Sequence, residues 1–407
     1  MKILLYGINY SPELTGIGKY TGEMAEWLAS AGYEVRVVTA PPYHPKWRIF
    51  DGYANRWGRS GGRAGEPTVY RCPLWVPTRP SGAKRLLHLA SFALASLPTL
   101  VMQALWRPDV VFVVAPPFLC APQAWLVARL CGARAWLHIQ DFEIDVAFDL
   151  GMLRGGWLKR LALSFECFWL RRFDRVSSIS DKMLDKLHAK GVVGEKAVLF
   201  PNWSHPEEIQ PLAGPNPFRE ELELAEDSFV ALYSGSMGEK QGLDTVLDAA
   251  AALQGHPRIR FVLCGEGPVK AGLQERYDLP NVRWLPLQPL QRLNDLLGLA
   301  DVHLLPQRGD VADLVMPSKL LGMLASGRPV LATAGVDTQV GRLVAQCGVL
   351  SPADDSAGLV DALLALAGEP ERRAELGAMA RWIAEAQFSK GAVLGKLEQD
   401  LTEAMDA

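Results

Sequence analysis

The sequence has 407 residues, of which 49% are hydrophobic and 21% are charged, so a disordered chain is excluded and a sizeable core is expected. At about 150 residues per domain, this length predicts two or three domains. The formal net charge of −3 argues against a general nucleic-acid-binding protein. Residues 1–203 contain 25 Lys and Arg against 16 Asp and Glu, whereas residues 204–407 contain 17 against 29. This imbalance favours two domains with different partners.

The cysteines and the N-terminus both indicate a protein of the reducing cytoplasm. The six cysteines are scattered and form no C-x-x-C pair, so we expect buried free thiols and neither a zinc site nor a disulfide framework. The opening residues MKILLYGINYSPE have too short an apolar run for a signal peptide, and a glycine-rich turn follows them.

Short apolar, β-branched runs separated by helical patterns recur along both halves. Near-continuous hydrophobicity in such runs is typical of parallel strands covered on both faces. A stretch with five prolines, 201–218, interrupts the pattern and predicts an interdomain linker. We therefore predict a first domain over 1–203, a second over 204–385, and a C-terminal helix over 386–407 that either caps the second domain or crosses back to the first. The predicted strands are 2–8, 35–39, 68–72, 109–114, 133–140, 175–179, 197–200, 229–233, 260–264, 282–285, 302–305, 329–333 and 348–350.

One apolar segment, 86–106, is about as long as a membrane-spanning helix, and basic residues flank it. Polar residues and a proline dilute its hydrophobicity, and a predicted strand follows at once. Three structures fit this pattern: a spanning helix, a core helix, and a helix lying in or against the membrane interface.

The loop after the first predicted strand contains Gly16 and Gly18 and leads directly into a helix. Glycines allow a ligand to approach the backbone, and a helix N-terminus offers unpaired N–H groups to an anion. The spacing does not fit the dinucleotide fingerprint, because Thr21 stands where that pattern requires a third glycine. The alternative is an ordinary strand-to-helix turn.

A similar loop follows the first strand of the second half, with Gly238 and Lys240 ahead of a helix. A lysine beside a helix N-terminus is slightly unfavourable for the helix dipole, so an anionic partner would explain it. A solvated loop lysine is the alternative. A third glycine turn, with Gly265, Glu266 and Pro268, closes the next strand and is a weaker signal.

The segment 313–333 carries the most information. Pro317 fits a helix start, Ser318 can cap N–H groups, and Gly327 ends the helix before a new strand. A well-capped short helix explains these three residues. It does not explain Lys319, a cation in the first turn, where positive charge is disfavoured.

The order and spacing of these four loops, together with an aspartate-led strand at 301–305, resemble glycosyltransferase family 4. The segments YGINYSPELTGIGKYTGEMAEWLASAGYEVRVVTAPPYHP and HIQDFEIDVA are similar to the colanic-acid exopolysaccharide glycosyltransferases of the WcaI type. The resemblance covers essentially the whole chain. It implies an α/β protein with the GT-B fold, in which two Rossmann-like, doubly wound parallel-sheet domains face a central cleft.

The resemblance implies a retaining hexosyltransferase or fucosyltransferase that needs no metal or other cofactor. Its donor would be a GDP- or UDP-sugar, and its acceptor a polyprenyl-diphosphate-linked saccharide. Lys240 would act as a catalytic cation, because charge grows on the leaving phosphate and cations placed there in advance lower the barrier. The donor-binding residues that the resemblance implies are Gly16, Gly18, Gly238, Lys240, Gly265, Glu266, Asp313, Pro317, Ser318 and Lys319.

On the first domain, His138 lies in a predicted strand that ends at Asp141. Family members place a polar residue there against the sugar. The resemblance thus implies that Asp141 stabilises the positive anomeric carbon or orients the acceptor. His138 is a second catalytic candidate, with a hydrogen-bonded core histidine as the alternative. Glu143 and Asp145 are expected to be acids at a helix start.

The sequence departs from the family where two glutamates usually contact the donor sugar and the ribose. Leu314 and Gly322 occupy those positions, and neither side chain can accept a hydrogen bond. An arginine that is common in the family's glycine loop also has no counterpart. Asp313, one residue out of register, can supply a carboxylate, while Ser318 and Lys319 can take over phosphate contacts.

The resemblance places the protein in the cytoplasm, peripheral on the inner face of the plasma membrane, with no nucleic-acid partner. The basic first half, the segment 86–106 and Trp157, Lys159 and Arg160 would dock on anionic lipid. Two other functions stay open: a nucleotide-sugar 2-epimerase of the same fold, and a non-catalytic nucleotide-sugar-binding partner of a synthase complex.

Overall fold

The chain forms two compact units. The computed structural model describes residues 1–13, 16–78, 82–145, 156–212, 214–309 and 317–406. Unit 1 comprises Met1–Asn202 together with Leu394–Ala407, and unit 2 comprises Trp203–Val393. The change from unit 1 to unit 2 therefore falls inside the proline-rich stretch 201–218.

Unit 1 is built on an eight-stranded sheet in the order β3-β4-β2-β1-β5-β6-β7-β8. All neighbouring strands are parallel except β3, which pairs antiparallel with β4 at the edge. Every residue of β5 is buried, as expected for a strand covered on both faces. The strands are β1 Lys2–Tyr6, β2 Glu34–Thr39, β3 Gly58–Gly61, β4 Thr68–Arg71, β5 Val110–Ala115, β6 Arg134–Ile139, β7 Arg175–Ser178 and β8 Ala197–Leu199.

Helices on both faces of this sheet close the core of unit 1. The last helix of the chain, α14, begins in unit 2 at Lys390 and continues into unit 1. There the indole N–H of Trp27 donates to the carboxylate of Glu398 over 2.8 Å. The helices of this unit are α1 Ile17–Ser30, α2 Gly82–Ala104, α3 Ala121–Cys131, α4 Gly156–Leu170 and α5 Asp181–Ala189.

Unit 2 is built on a six-stranded, fully parallel sheet in the order β11-β10-β9-β12-β13-β14. Its strands are β9 Phe229–Ser234, β10 Ile259–Cys264, β11 Val282–Leu285, β12 Val302–Leu305, β13 Val330–Thr333 and β14 Gly348–Ser351. Its helices are α6 Pro217–Glu221, α7 Leu243–Ala252, α8 Lys270–Arg276, α9 Leu293–Gly298, α10 Ser318–Ala325, α11 Gln339–Cys347, α12 Ser356–Gly368, α13 Pro370–Phe388 and the start of α14 Lys390–Asp406.

The strand order reverses next to the first strand of each sheet. β1 lies between β2 and β5, and β9 lies between β10 and β12. In doubly wound sheets, ligands bind in the crevice outside the carboxyl ends of the strands at such a reversal. The loops after β1 and β5, and those after β9 and β12, are therefore the places where each unit is expected to bind a ligand.

Helix α2 contains the apolar segment for which three structures were possible. Lys84–Ala104 is long and apolar enough to cross a membrane by length and composition, and 33% of it is buried inside the protein. Its inner face makes polar contacts with the sheet: Ser96 lies 2.7 Å from the hydroxyl of Tyr6, and Gln103 accepts from Arg36 over 3.1 Å. These contacts make α2 part of the core of unit 1, while its outer face is exposed.

Candidate active site

The glycine loops after β9 and β10 pack directly against each other. The backbone N–H of Met237 donates to the carbonyl of Glu266 over 2.9 Å. A Cβ atom on Gly265 would lie 1.8 Å from the carbonyl oxygen of Gly235, and a Cβ on Gly267 would lie 2.0 Å from that of Met237. Gly265 and Gly267 are thus needed for the contact between the loops themselves.

Two other predicted donor residues already have partners inside unit 2. The carboxylate of Glu266 lies 2.9 Å from the ammonium of Lys270. The N–H of Gly238 donates to the side-chain oxygen of Gln241 over 3.0 Å. Lys240 is exposed on the same turn. Lys240 is therefore an accessible cation of the glycine loop after β9, whereas Gly238 and Glu266 hold the shape of the loops.

Lys319 meets this loop from the first turn of α10. Its ammonium lies 4.4 Å from the centre of the Tyr233 ring and 3.4 Å from the tyrosine hydroxyl. The hydroxyl of Tyr233 in turn donates to the carbonyl of Ser236 in the glycine loop. Burial lowers the pKa of Lys319 to about 8, and within the described ranges no carboxylate pairs with it. Among the described residues, the cation that conflicts with its helix position therefore has no counter-anion.

The structure describes the segment 313–333 around α10 only from Pro317 onward. Pro317 occupies the N-cap position of α10, Ser318 is its first residue, and Asp313 and Leu314 lie outside the described residues. Gly322 follows one turn after Lys319. A Cβ on Gly322 would meet only a methyl carbon of Leu297, at 3.5 Å, which is an ordinary contact. Steric space therefore does not explain why this position lacks the family's glutamate.

In unit 1, three predicted site residues line one cavity of about 430 Å³: Gly16, Gly18 and Asp141. The cavity lies at the carboxyl ends of β1, β2, β5 and β6, beside the point where the strand order reverses. Its volume is within the range of roughly 300–1,000 Å³ that is usual for small-molecule sites.

The loop between β1 and α1 is shaped by Glu13, a residue that sequence reasoning missed. Glu13 is 2% exposed, and its carboxylate accepts from the backbone N–H groups of Tyr43 and His44, each over 2.9 Å. A Cβ atom on Gly18 would lie 2.5 Å from a carboxylate oxygen of Glu13. Gly16 has a φ of 62°, which favours glycine. The loop after β1 is thereby fixed to the loop after β2.

Two carboxyl groups after β6 line the same cavity. Desolvation raises the pKa of Asp141, and burial raises the pKa of Glu143 to about 7, with further contributions from Glu166 and Asp141. Glu143 accepts from the backbone N–H of Phe118 over 3.0 Å. Asp145 instead forms an ion pair with Lys190 at 3.2 Å. Of the two acids expected at a helix start, Glu143 therefore lines the cavity, whereas Asp145 forms an ion pair within the fold.

His138 does not line this cavity. It is 2% exposed, its Nδ1 lies 2.9 Å from the hydroxyl of Ser177, and its Nε2 lies 2.9 Å from the amide nitrogen of Gln140. Burial lowers its pKa to about 3. Both ring nitrogens are thus occupied within the fold. The geometry corrects the catalytic assignment of His138 in favour of the alternative, a hydrogen-bonded core histidine.

A second cavity, of about 860 Å³, lies in unit 2 at the opposite end of the sheet, where Asp301 leads into β12. It is bounded by the linker around Asn216 and by Arg328. Its lining includes none of the predicted site residues. Within the described part of the chain, no group of three or more His, Cys, Asp and Glu could hold a metal ion, and all six cysteines are free.

Family models match both units. Residues 15–203 match a glycosyl transferase 4-like domain, and residues 228–369 match the glycosyl transferases of group 1. WcaI of Escherichia coli strain K12, named as a colanic acid biosynthesis glycosyl transferase, is 47% identical over 352 residues, which cover 84% of this chain and 86% of that protein.

Solved structures agree with these matches in fold. Sucrose-phosphate synthase from Thermosynechococcus elongatus has a TM-score of 0.72 at 19% identity and covers 99% of this chain and 100% of that chain. Anabaena HepE in complex with UDP has a TM-score of 0.70 at 15% identity, with the same coverage of both chains.

Two doubly wound parallel-sheet units, each with a glycine loop at a reversal of strand order, have the GT-B fold, and the family models matched by both units make the chain a glycosyltransferase. Because WcaI is 47% identical over 84% of this chain, the match assigns the family as well as the fold. The chain belongs to glycosyltransferase family 4 and, within it, groups with the WcaI-type enzymes.

Proposed function

We propose that the chain is a retaining glycosyltransferase of exopolysaccharide assembly. It transfers a sugar from a nucleotide diphosphate donor to a lipid-linked saccharide acceptor at the inner face of the plasma membrane, with no essential metal. The observation that carries the donor side is Lys319, a half-buried cation beside the glycine loop with no carboxylate partner among the described residues.

The donor diphosphate supplies the missing anion. Two cations of unit 2, Lys319 and Lys240, flank the loop that begins at Gly235, and α10 starts one residue before Lys319. A cation and a helix N-terminus that are already in place stabilise the charge that develops on the leaving diphosphate without reorganisation. Cations in these positions perform the role that a metal ion has in other transferases.

The relatives support the same class of donor and pathway. HepE has been solved in complex with UDP and with UDP-glucose, and WcaI is named for colanic acid biosynthesis. The family glutamates are absent at Gly322 and Leu314.

Asp141 is the carboxylate that we assign to the acceptor side. It lines the cavity of unit 1 together with Gly16 and Gly18. A carboxylate in this position orients an acceptor hydroxyl or stabilises positive charge at the anomeric carbon. His138 has no part in this step, because its ring nitrogens are bound within the fold.

An apolar surface on unit 1 supports the peripheral membrane location. Helix α3 packs against α2, and the rings of Trp125 on α3 and Trp169 on α4 lie 5.6 Å apart. The three helices, with Leu105 directly after α2 and Leu119 just before α3, expose large apolar residues, which we call the apolar helix face: Leu87, Leu94, Leu97, Val101, Met102, Leu105, Leu119, Leu126, Leu130, Trp157, Leu161, Phe165 and Phe168.

A contiguous apolar surface of this kind marks an interaction site in a soluble protein. Lys84 and Arg107 flank the α2 part of the apolar helix face, Arg160 lies on α4, and residues 1–203 carry 25 basic against 16 acidic residues. An apolar centre with basic residues around it is complementary to the headgroup and acyl region of an anionic bilayer.

The donor claim is tested by thermal unfolding of the full chain with GDP-, UDP- and dTDP-sugars. A ligand that binds only the folded state raises the midpoint. We expect one nucleotide class to raise it, and Lys319→Met to abolish that rise. Arg258→Met removes an exposed cation at the other end of the sheet and should leave the rise intact. No rise with any nucleotide would refute the proposal.

A further inference from the structure

The cavity of unit 1 has an aromatic wall that the donor chemistry does not use. Three rings meet there: the centroids of Tyr43 and His88 are 4.7 Å apart, those of Trp47 and His88 5.3 Å, and those of Tyr43 and Trp47 5.8 Å. All three residues line the cavity. Aromatic walls with a few polar groups are typical of sites for small organic ligands, including the apolar C–H face of a pyranose ring.

His88 presents an unused hydrogen-bond acceptor at this wall. Its side chain is 1% exposed, and its Nδ1 lies 2.6 Å from the carbonyl oxygen of Trp75. A carbonyl only accepts, so Nδ1 carries the proton, and burial lowers the pKa of His88 and keeps the ring neutral. Nε2 is therefore an acceptor, and it has no hydrogen-bond partner among the described residues.

A buried acceptor without a partner is unfavourable in a folded protein. The group that it lacks is an O–H or N–H donor. A sugar hydroxyl in the cavity supplies one, and the aromatic rings beside it accommodate the remainder of the sugar.

Arg85 adds a cation at the same cavity. It lies near the start of α2, with its guanidinium 5.6 Å from the centre of the Trp47 ring, and it is exposed. Within the described ranges no carboxylate forms an ion pair with it. A cation near a helix N-terminus is disfavoured by the helix dipole, so an anionic ligand offsets that cost.

Helix α2 connects this cavity to the apolar helix face. Arg85 and His88 line the cavity, whereas Leu87 and Leu94 of the same helix are 60% and 71% exposed. The cavity and the apolar helix face therefore lie along one helix. This arrangement suits an amphiphile with a sugar at one end, a diphosphate next to it and a long apolar chain.

We propose that the cavity binds the sugar-diphosphate end of the lipid-linked acceptor. The pyranose packs against Tyr43 and Trp47, one of its hydroxyls donates to His88 Nε2, the diphosphate lies at Arg85, and the prenyl chain follows the exposed face of α2. This assignment rests on the proposed function, because it requires a lipid-linked acceptor. It adds the residues that recognise each part of that acceptor.

The diphosphate contact is tested by calorimetric titration of the full chain with farnesyl diphosphate. The titration is made in the Lys319→Met background, so that the donor loop does not take up the probe. We expect Arg85→Gln to weaken binding at least tenfold. Arg107→Gln, which removes a basic residue after the other end of α2, should weaken it less than twofold. Equal effects of the two substitutions would overturn the assignment, because they would show non-specific charge attraction.

The sugar contact is tested with octyl β-glucoside below its micelle concentration. His88→Phe keeps a ring in the wall and removes the Nε2 acceptor. We expect this variant to bind octyl β-glucoside at least fivefold more weakly than the wild type and farnesyl diphosphate less than twofold more weakly. Equal losses for both probes would show that His88 acts only through packing and would overturn the hydroxyl contact.

The two levels of the proposal fail separately. A nucleotide-sugar that stabilises the wild type but not Lys319→Met supports the donor site whatever happens at Arg85 and His88. If that result is obtained and both cavity variants bind the probes as the wild type does, only the acceptor assignment is lost. If no nucleotide-sugar binds, the proposed function is lost and the cavity assignment with it.

Discussion

The ammonium of Lys319 lies 4.4 Å from the centre of the Tyr233 ring, in a position where it has no carboxylate partner among the described residues. A cation–π contact is weaker compensation for burial than an ion pair, so the charged form is disfavoured and the pKa of Lys319 falls to about 8. A bound diphosphate would reverse this effect. The relationship between these two residues is the structural reason to place the donor in unit 2.

This pKa predicts how donor binding depends on pH. The folded-state pKa is below the usual 10.5, so Lys319 loses its charge as the pH rises through about 8. Affinity for the stabilising nucleotide should be constant between pH 6.5 and 7.5 and decline above pH 8. In Lys319→Arg the decline should be absent, because arginine stays protonated. Calorimetric titration from pH 6.5 to 9.5 measures both, and the same decline in the two proteins would contradict the prediction.

Glu143 predicts that the stability of the fold also declines as the pH rises. Its pKa is raised from 4.5 to about 7, so its contribution to folding is fully present below pH 4.5 and is lost as the pH rises through about 7. Glu143→Gln keeps an acceptor for the Phe118 N–H and removes the charge. At pH 8 the variant should be more stable than the wild type by on the order of 2 kcal/mol, with no gain at pH 5. Urea unfolding at both pH values tests this, and an equal difference at both would argue against a raised pKa.

The packing of the two glycine loops predicts unequal costs of alanine in unit 2. A methyl group on Gly267 would lie 2.0 Å from the carbonyl oxygen of Met237, whereas one on Gly272 meets no atom within 4 Å. Gly267→Ala should destabilise the protein by about 3 kcal/mol through overpacking. Gly272→Ala, inside α8, should stabilise it by about 0.5–1 kcal/mol. Denaturant unfolding measures both, and similar stabilities would contradict the loop contact.

Gly322 allows the family's glutamate to be restored. A Cβ atom is tolerated at this position, where among the described residues it meets a methyl carbon of Leu297 at 3.5 Å, an ordinary contact. Gly322→Glu should preserve the fold and tighten nucleotide binding about tenfold, because a carboxylate there can accept from ribose hydroxyls. Gly322→Ala brings the same gain in helix propensity without the carboxylate. If both variants bind nucleotide alike, Gly322 does not border the ribose.

The apolar helix face predicts which substitutions release the protein from lipid. Leu94 on α2 and Leu105 directly after it are 71% and 88% exposed, and Leu287 and Leu290 in unit 2 are 68% and 74% exposed. The double variant Leu94→Ser, Leu105→Ser should lose at least 80% of its co-sedimentation with phosphatidylglycerol vesicles, because about 1.5–3 kcal/mol of apolar burial is removed per leucine. The matched Leu287→Ser, Leu290→Ser control should sediment as the wild type does. Equal losses would contradict a lipid surface on unit 1.

Strands were readily predicted from the sequence because a parallel sheet requires apolar runs. All seven strands expected in the first half and all six in the second are present, with ends that move by one or two residues. Among the described residues, the strand that the sequence did not predict is β3, Gly58–Gly61, whose four residues are all exposed. An exposed edge strand buries no side chains, so nothing in its composition distinguishes it from a loop.

In unit 2, the clearest signal of the candidate site in the sequence was a residue that conflicts with its local structure. Lys319 is such a residue, because a cation in the first turn of a helix is disfavoured. Tyr233 carries no such signal, since an aromatic at the end of a strand looks like any core residue. Nε2 of His88 is an acceptor because Nδ1 donates to the carbonyl of Trp75, 13 residues away. No local sequence pattern predicts that contact. In the sequence, Glu13 looks like any other polar loop residue. Only the fold brings its carboxylate to the backbone N–H groups of Tyr43 and His44.

The central claim, retaining transfer from a nucleotide-sugar, is tested most directly by proton NMR of the turnover reaction. The stabilising nucleotide-sugar is mixed with a prenyl-diphosphate-linked sugar, and the anomeric proton of the newly transferred residue is followed. We predict that the transferred residue keeps the donor's anomeric configuration. We predict that Lys319→Met forms no product. A product of inverted configuration would contradict the mechanism. An altered sugar without any acceptor would indicate an epimerase, and nucleotide binding with no turnover would indicate a non-catalytic partner.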